Sequence, residues 1–181
     1  MLPSDDAPNK SAGYPACDAG LVLLHPFLPR LFDAVGIAPA GTTELPEAVL
    51  PRAAALLHWL ASGREEIYEF ELTTIKVLLG LMPDHVLLAG AGLLSEADRI
   101  EADALLAAAI SHWDALGKTG VAALRMSFLQ RRGLLRDMGS GWQLQVEPES
   151  FDLLLGKLPW SISIVRLPWM TRPIFTDWPT P

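Results

Sequence analysis

The sequence has one cysteine, Cys17. That excludes an intramolecular disulfide and any multi-cysteine zinc site. Cys17 sits in a polar, proline-containing stretch and reads as a free thiol. Charge is scarce too: 19% of the residues are charged, and 21 acids outweigh 14 bases for a net −7. Global electrostatic attraction to nucleic acid is therefore disfavoured, which leaves room only for a local basic patch. Long apolar runs are missing. The longest are Ala104–Ile110 and, with glycines counted, Val86–Leu94. Both fall short of the roughly 18–20 residues of a membrane span. The first residues, MLPSDDAPNKSAGYPACDAG, contain neither the basic nor the apolar region of a secretory signal. The expectation is a soluble protein made in the cytoplasm.

What is present is apolar side chain, at 50% of 181 residues, broken up by 15 prolines and 14 glycines. That is enough for a core and too much for intrinsic disorder. The elements should be short and often interrupted. Residues 1–18 read as a flexible lead-in or linker, and 19–178 as a single globular domain. Within it, 19–132 reads as helical and 133–178 as hairpin and sheet. Leu21, Leu24, Leu28, Leu31 and Phe32 recur at helical steps over 19–35, interrupted by Pro26 and Pro29. A second helix runs from about Pro46 to Gly63, with Pro51 best placed in its first turn. A third covers about 69–81 and stops at Met82-Pro83-Asp84. The fourth starts at the capping pattern Ser95-x-x-Asp98 and carries Leu105, Leu106, Ala109, Ile110, Trp113 and Leu116 inward. The fifth spans about 119–131, with Arg125, Arg131 and Arg132 outward.

After Gly133 the period changes to two. Trp142, Leu144 and Val146 alternate with polar neighbours, and Gly139-Ser140-Gly141 turns back to a strand near Leu134–Arg136. A short helix at 150–155, then extended stretches at Ile162–Ile164 and Ile174–Trp178, complete the chain. The fold class is α+β: about five helices, then a small C-terminal antiparallel sheet with one short helix.

The chemistry-bearing residues form no recognisable catalytic pattern. Gly117-Lys118-Thr119 resembles the end of a phosphate-binding loop, but His112 stands where the first glycine is needed and a helix precedes it. No two of His25, His58, His85 and His112 are three or four apart, so no metal-binding pair is visible. There is no nucleophile elbow. The reading is of a protein that is not an enzyme and needs no cofactor or metal. The cluster Arg125, Arg131, Arg132 and Arg136, on a helix followed by a hairpin, resembles a winged-helix layout. A DNA-binding regulator is thus the alternative, against the acidic total. A hydrolase using histidine would need two histidines and a carboxylate brought into one cleft.

The most informative stretch is the last. Leu158-Pro159-Trp160 and Leu167-Pro168-Trp169 repeat at nine residues, and Trp178 follows nine later. These indoles suit either a small core closing the sheet onto the helices or a rigid aromatic docking surface. Trp160, Trp169, Trp178 and Phe175, with Arg125, Arg131 and Arg132, are the candidate partner-binding residues.

Several ordered blocks resemble the characteristic C-terminal region of contractile injection system tape measure proteins, which belong to phage-tail-like machines. They begin with Asp18–Phe32 (DAGLVLLHPFLPRLF) and Arg52–Gly63 (RAAALLHWLASG). His112-Trp113, Leu124-Arg125, Phe128–Arg131 and Gly133 follow, then Gly141–Glu147 (GWQLQVE), Leu158–Met170 (LPWSISIVRLPWM) and Trp178. The likeness covers about residues 18–178. Asp18 stands where the family often has Asn, and Glu71–Leu81 follows the family pattern only loosely. The resemblance implies a non-enzymatic role in setting tube length, within the tube lumen, in contact with inner-tube, baseplate or spike components. A fully helical chain of this length would reach only about 270 Å at about 1.5 Å per residue. A compact body of about 16 Å radius of gyration is expected instead. It would be the folded anchor of a longer tape measure, or a short relative without the ruler.

Overall fold

The computed structural model describes residues 12–179. Helices α1 (Leu28–Ala34), α2 (Leu50–Ser62), α3 (Thr73–Leu78), α4 (Glu96–His112) and α5 (Val121–Leu124) come with five strands: β1 (Tyr14–Ala16), β2 (Gly133–Asp137), β3 (Trp142–Val146), β4 (Ile164–Val165) and β5 (Ile174–Asp177). The α+β class holds, with the sheet order β1-β2-β3-β5-β4.

The first helical region breaks at its prolines. A 3-10 segment at Ala19–Leu24 gives way to α1, whose first turn contains Pro29. Helix α2 begins with Pro51 in its first turn, where the missing N–H costs nothing. It ends at Gly63, whose φ of 69° makes the left-handed cap and whose N–H donates to the Trp59 carbonyl. Ala53, Ala54, Ala55, Leu56, Leu57 and Leu60 are all buried, so α2 is apolar nearly all round and lies at the centre. Helices α3 and α4, the 19–24 segment and the turn after α5 pack against it. Helix α4 opens on a reciprocal capping box: the Asp98 N–H donates to Ser95 Oγ (3.1 Å), and the Ser95 N–H donates to Asp98 Oδ2 (2.9 Å). The fifth helix is shorter than its periodicity suggests. Residues Arg125–Leu129 form a π-turn rather than continuing α5.

Two expectations about the sheet are corrected. The boundary at residue 18 is too late: Tyr14–Ala16 pairs antiparallel with β2 as an edge strand, and Ala16 is buried. Its partner lies far along the chain, and Pro15 weakens any local strand signal. The remainder of the proposed lead-in, up to residue 11, lies outside the described residues. The sheet is also mixed, not antiparallel throughout. β2–β3 and β4–β5 pair antiparallel, but β3–β5 pair parallel. The chain leaving β3 passes through a 3-10 segment (Ser150–Lys157), rejoins the sheet at its edge as β4, and turns back through 166–173 into β5, which therefore runs in the direction of β3. One cluster of buried side chains runs from Ala16 to Trp178.

Candidate functional site

The three C-terminal indoles reach inward, and each donates its N–H to an acceptor on another part of the fold. Trp160 donates to the Leu23 carbonyl (2.9 Å) and meets Phe27 edge-on at 5.2 Å. Trp169 donates to the Leu78 carbonyl (2.9 Å) and stacks on Phe32 at 4.9 Å with only 8° between the rings. Trp178 donates to Asp152 Oδ2 (3.1 Å). Trp169 and Trp178 are buried, and Trp160 is half-buried. Of the two readings left open by the sequence, Trp169 and Trp178 take the core one. A buried indole needs a hydrogen-bond acceptor, and each of these has found one.

The arginine cluster divides in the same way. Arg131 is buried, contrary to its expected outward place. It forks onto Asp152 through Nη1–Oδ1 (2.6 Å) and Nη2–Oδ2 (2.9 Å), and Nη2 also donates to the Glu147 carbonyl. Its guanidinium lies 5.1 Å from the centre of the Trp178 ring. Burial pushes the Asp152 carboxyl up, but Arg131, the Glu149 N–H and Trp178 together hold it below the usual carboxylate range. Arg125 is directed by the π-turn onto the end of α2. It donates to the Leu60 carbonyl (3.1 Å), the Trp59 carbonyl (3.0 Å) and Asp103 (3.2 Å). Gln130 adds a bond to the Ala61 carbonyl (3.0 Å). These side chains satisfy the Leu60 and Ala61 carbonyls at the end of α2, add a second donor to the Trp59 carbonyl, and oppose the helix dipole. Arg131 and Arg125 are therefore committed within the fold, and a phosphate backbone would have to compete with those bonds. Arg132 is exposed, and Arg136 reaches across the hairpin to Gln145 (3.0 Å). Phe175, on β5, is 39% exposed.

The structure does not gather these seven candidates into one surface site. What the sequence reading missed is the apolar exposure on the connection between α3 and α4. Leu88 is 84% and Val86 80% exposed, while Leu87 between them is buried. The loop is held rather than loose. The Lys76 ammonium donates to the Pro83 carbonyl (3.1 Å), the Gly92 N–H to Glu65 (3.0 Å), and Arg99 to the Leu94 carbonyl (3.3 Å). Phe70, 67% exposed, stacks on Tyr68 at 5.8 Å in the turn before α3. The signal was present in the apolar run Val86–Leu94, which has neither the helical nor the strand period.

Gly117-Lys118-Thr119 lies in a turn after a 3-10 segment (Asp114–Leu116), between α4 and α5. The four histidines are spread over the fold, and among the described residues no group of three His, Cys, Asp or Glu side chains is arranged to hold a metal ion. No described helix is long and apolar enough to cross a membrane.

No curated protein and no solved structure matches the chain. Residues 2–178 do match one family, described as contractile injection system tape measure protein. Because that match spans nearly all of the sequence, the chain belongs to the contractile injection system tape measure protein family.

Proposed function

We propose that this chain is a non-enzymatic assembly module: a folded body that anchors a length ruler to the baseplate, spike or inner tube of its injection machine. In this reading 19–178 and β1 act as one unit, and the unit works in the particle or its tube lumen by gripping other proteins. The family membership supports the structural role. The observation that carries the docking role is the Val86–Leu88 loop, which is tethered at both ends yet presents two large aliphatic side chains to solvent. Burying each would release about 1.5–3 kcal/mol, and an anchored loop loses little entropy on docking. Exposed Arg132 and Phe175 are further candidate contacts, and Trp160 is a weaker one because its N–H is already engaged.

The test is Leu88→Asp. The folded chain should keep its stability to within about 0.5 kcal/mol, as for other surface changes. Complementation of a strain lacking the gene should fail to give particles of normal tube length. Normal particles from this variant and from Val86→Asp would remove the loop from the docking role.

A further inference from the structure

A groove of about 580 Å³ lies between the chain leading into α2 and the end of α3. That volume falls within the roughly 300–1,000 Å³ of clefts that take ligands. Its apolar lining is Leu45, Leu50, Leu79 and Trp169, all buried in the fold and so fixed in place. Trp169 is set by its stack on Phe32 and its bond to the Leu78 carbonyl. Helix α3 stops beside it at Gly80, whose φ of 80° is left-handed. A Cβ there would lie 2.9 Å from the Trp169 carbonyl oxygen, so only glycine lets the two backbones approach this closely. The Leu81 N–H then donates back to the Lys76 carbonyl (2.8 Å) and closes the turn. The groove is therefore preformed.

Its charge has one sign. Glu44 and Glu47 line it, and no Lys, Arg or His does. Both glutamates are exposed, and neither has a hydrogen-bond or ion-pair partner among the described residues. Carboxylates beside apolar packing elsewhere in the fold are answered: Glu71 by Arg64, Asp98 by Arg52, Asp152 by Arg131. Glu47 stands in the first turn of the 3-10 segment Glu47–Val49, where the dipole alone favours a carboxylate. Glu44 lies before that segment and has no such support.

We propose that this groove takes a cationic segment of another protein, in which an arginine or lysine stands beside an aliphatic residue. The aliphatic side chain and the stem of the basic one cover Leu45, Leu50, Leu79 and Trp169, and the charged head reaches Glu44 and Glu47. Long basic side chains suit this division, with the stem on apolar surface and the head at the rim. A guanidinium or ammonium on a carboxylate also makes the stronger, charge-assisted kind of hydrogen bond. An acidic segment is turned away by the two glutamates and by the net charge of −7. A neutral apolar segment would cover the same lining while drawing two carboxylates out of water with nothing to pair them. The groove holds its segment whether or not the Val86–Leu88 loop docks.

The experiment titrates the 15N-labelled full chain to millimolar concentration with two synthetic peptides, acetyl-Leu-Arg-Leu-Arg-amide and acetyl-Leu-Glu-Leu-Glu-amide. The basic peptide should move the Gly80 and Leu81 amide signals and the Trp169 indole N–H signal, and the acidic one should not. Glu44→Gln with Glu47→Gln should weaken the basic peptide's binding at least about threefold, with the urea midpoint of the parent because both side chains are exposed. No movement of these signals, equal binding of the two peptides, or a smaller loss in the double variant overturns the proposal. The comparison of the two peptides on the parent stands even if the double variant fails to fold. Movement of the same signals with protein concentration alone makes the occupant a second copy of this chain and overturns it as well. Leu88→Asp should bind the basic peptide as the parent does, so a failure of the loop reading and a failure of the groove reading are told apart.

Discussion

Replacing Trp169 with Ala separates an indole used for packing from one used for docking. The ring lies flat on Phe32 at 4.9 Å, is 6% exposed, and holds the Leu78 carbonyl at 2.9 Å. Truncating a buried Trp costs about 3–5 kcal/mol. Here the upper part of that range is expected, because the lost ring also leaves a carbonyl at the end of α3 without its donor. A native domain is stable by only about 5–15 kcal/mol. For a chain of this size each kcal/mol moves the melting temperature by about 2–4 °C, so a fall of roughly 8–20 °C is predicted. Trp169→Phe keeps an aromatic ring at the site but loses the N–H and part of the indole, and should cost less than the alanine change, about 1–3 kcal/mol. Urea unfolding followed by circular dichroism gives both values, with the slope m as the check that the unfolded state is unchanged. A Trp169→Ala protein that unfolds with the wild type but no longer supports particle assembly would refute the packing argument and return the indole to the surface.

Two further predictions concern the same core. At Gly20 a Cβ would lie 1.6 Å from the Phe128 carbonyl oxygen, a backbone atom that cannot rotate away. Gly20→Ala should thus cost at least the 1–3 kcal/mol typical of overpacking, measured by urea unfolding, and an unchanged midpoint would contradict the close approach. Asp98 and Asp152 are both held low. For each, burial acts upward but is outweighed: by Arg52 and the Ser95 cap in one case, and by Arg131, the Glu149 N–H and Trp178 in the other. Carboxyls depressed by folding contribute stability that is present above their unfolded values, near pH 3.9, and lost as the pH falls through the folded ones. Unfolding should therefore become steeply easier below about pH 4, and Asp152→Asn should flatten part of that slope.

The sequence made the helical half legible where local chemistry decides the outcome. Ser95 and Asp98 announce α4, and Pro51 and Gly63 bracket α2, because caps and breakers act over a single turn. The hairpin β2–β3 was legible for the same reason, from alternation around Gly139-Ser140-Gly141. Strand β1 was not, since three residues around a proline become a strand only when β2 is supplied from more than a hundred positions away. The direction of β5 was equally hidden, because it depends on how the intervening segment is pinned by Trp160 and Trp169. The arginines were misread for another reason. Charge predicts exposure on average, but a guanidinium can be buried where a carboxylate or a row of helix carbonyls awaits it, and Asp152 and the end of α2 are visible only in three dimensions. For the same reason the family resemblance rested on Leu124-Arg125 and Phe128–Arg131 without revealing that both arginines are internal fasteners.

The strand order has a consequence for how the protein is made. β5 occupies an inner position, between β3 and β4, although it follows both of them along the chain. Until it emerges, β3 has one open flank and β4 has no neighbour at all. Trp178, one residue further on, then closes over the Arg131–Asp152 pair. Strands β1, β2 and β3 can pair before then, but β3 keeps an unpaired edge until β5 is made, and with it the aggregation hazard of an open strand.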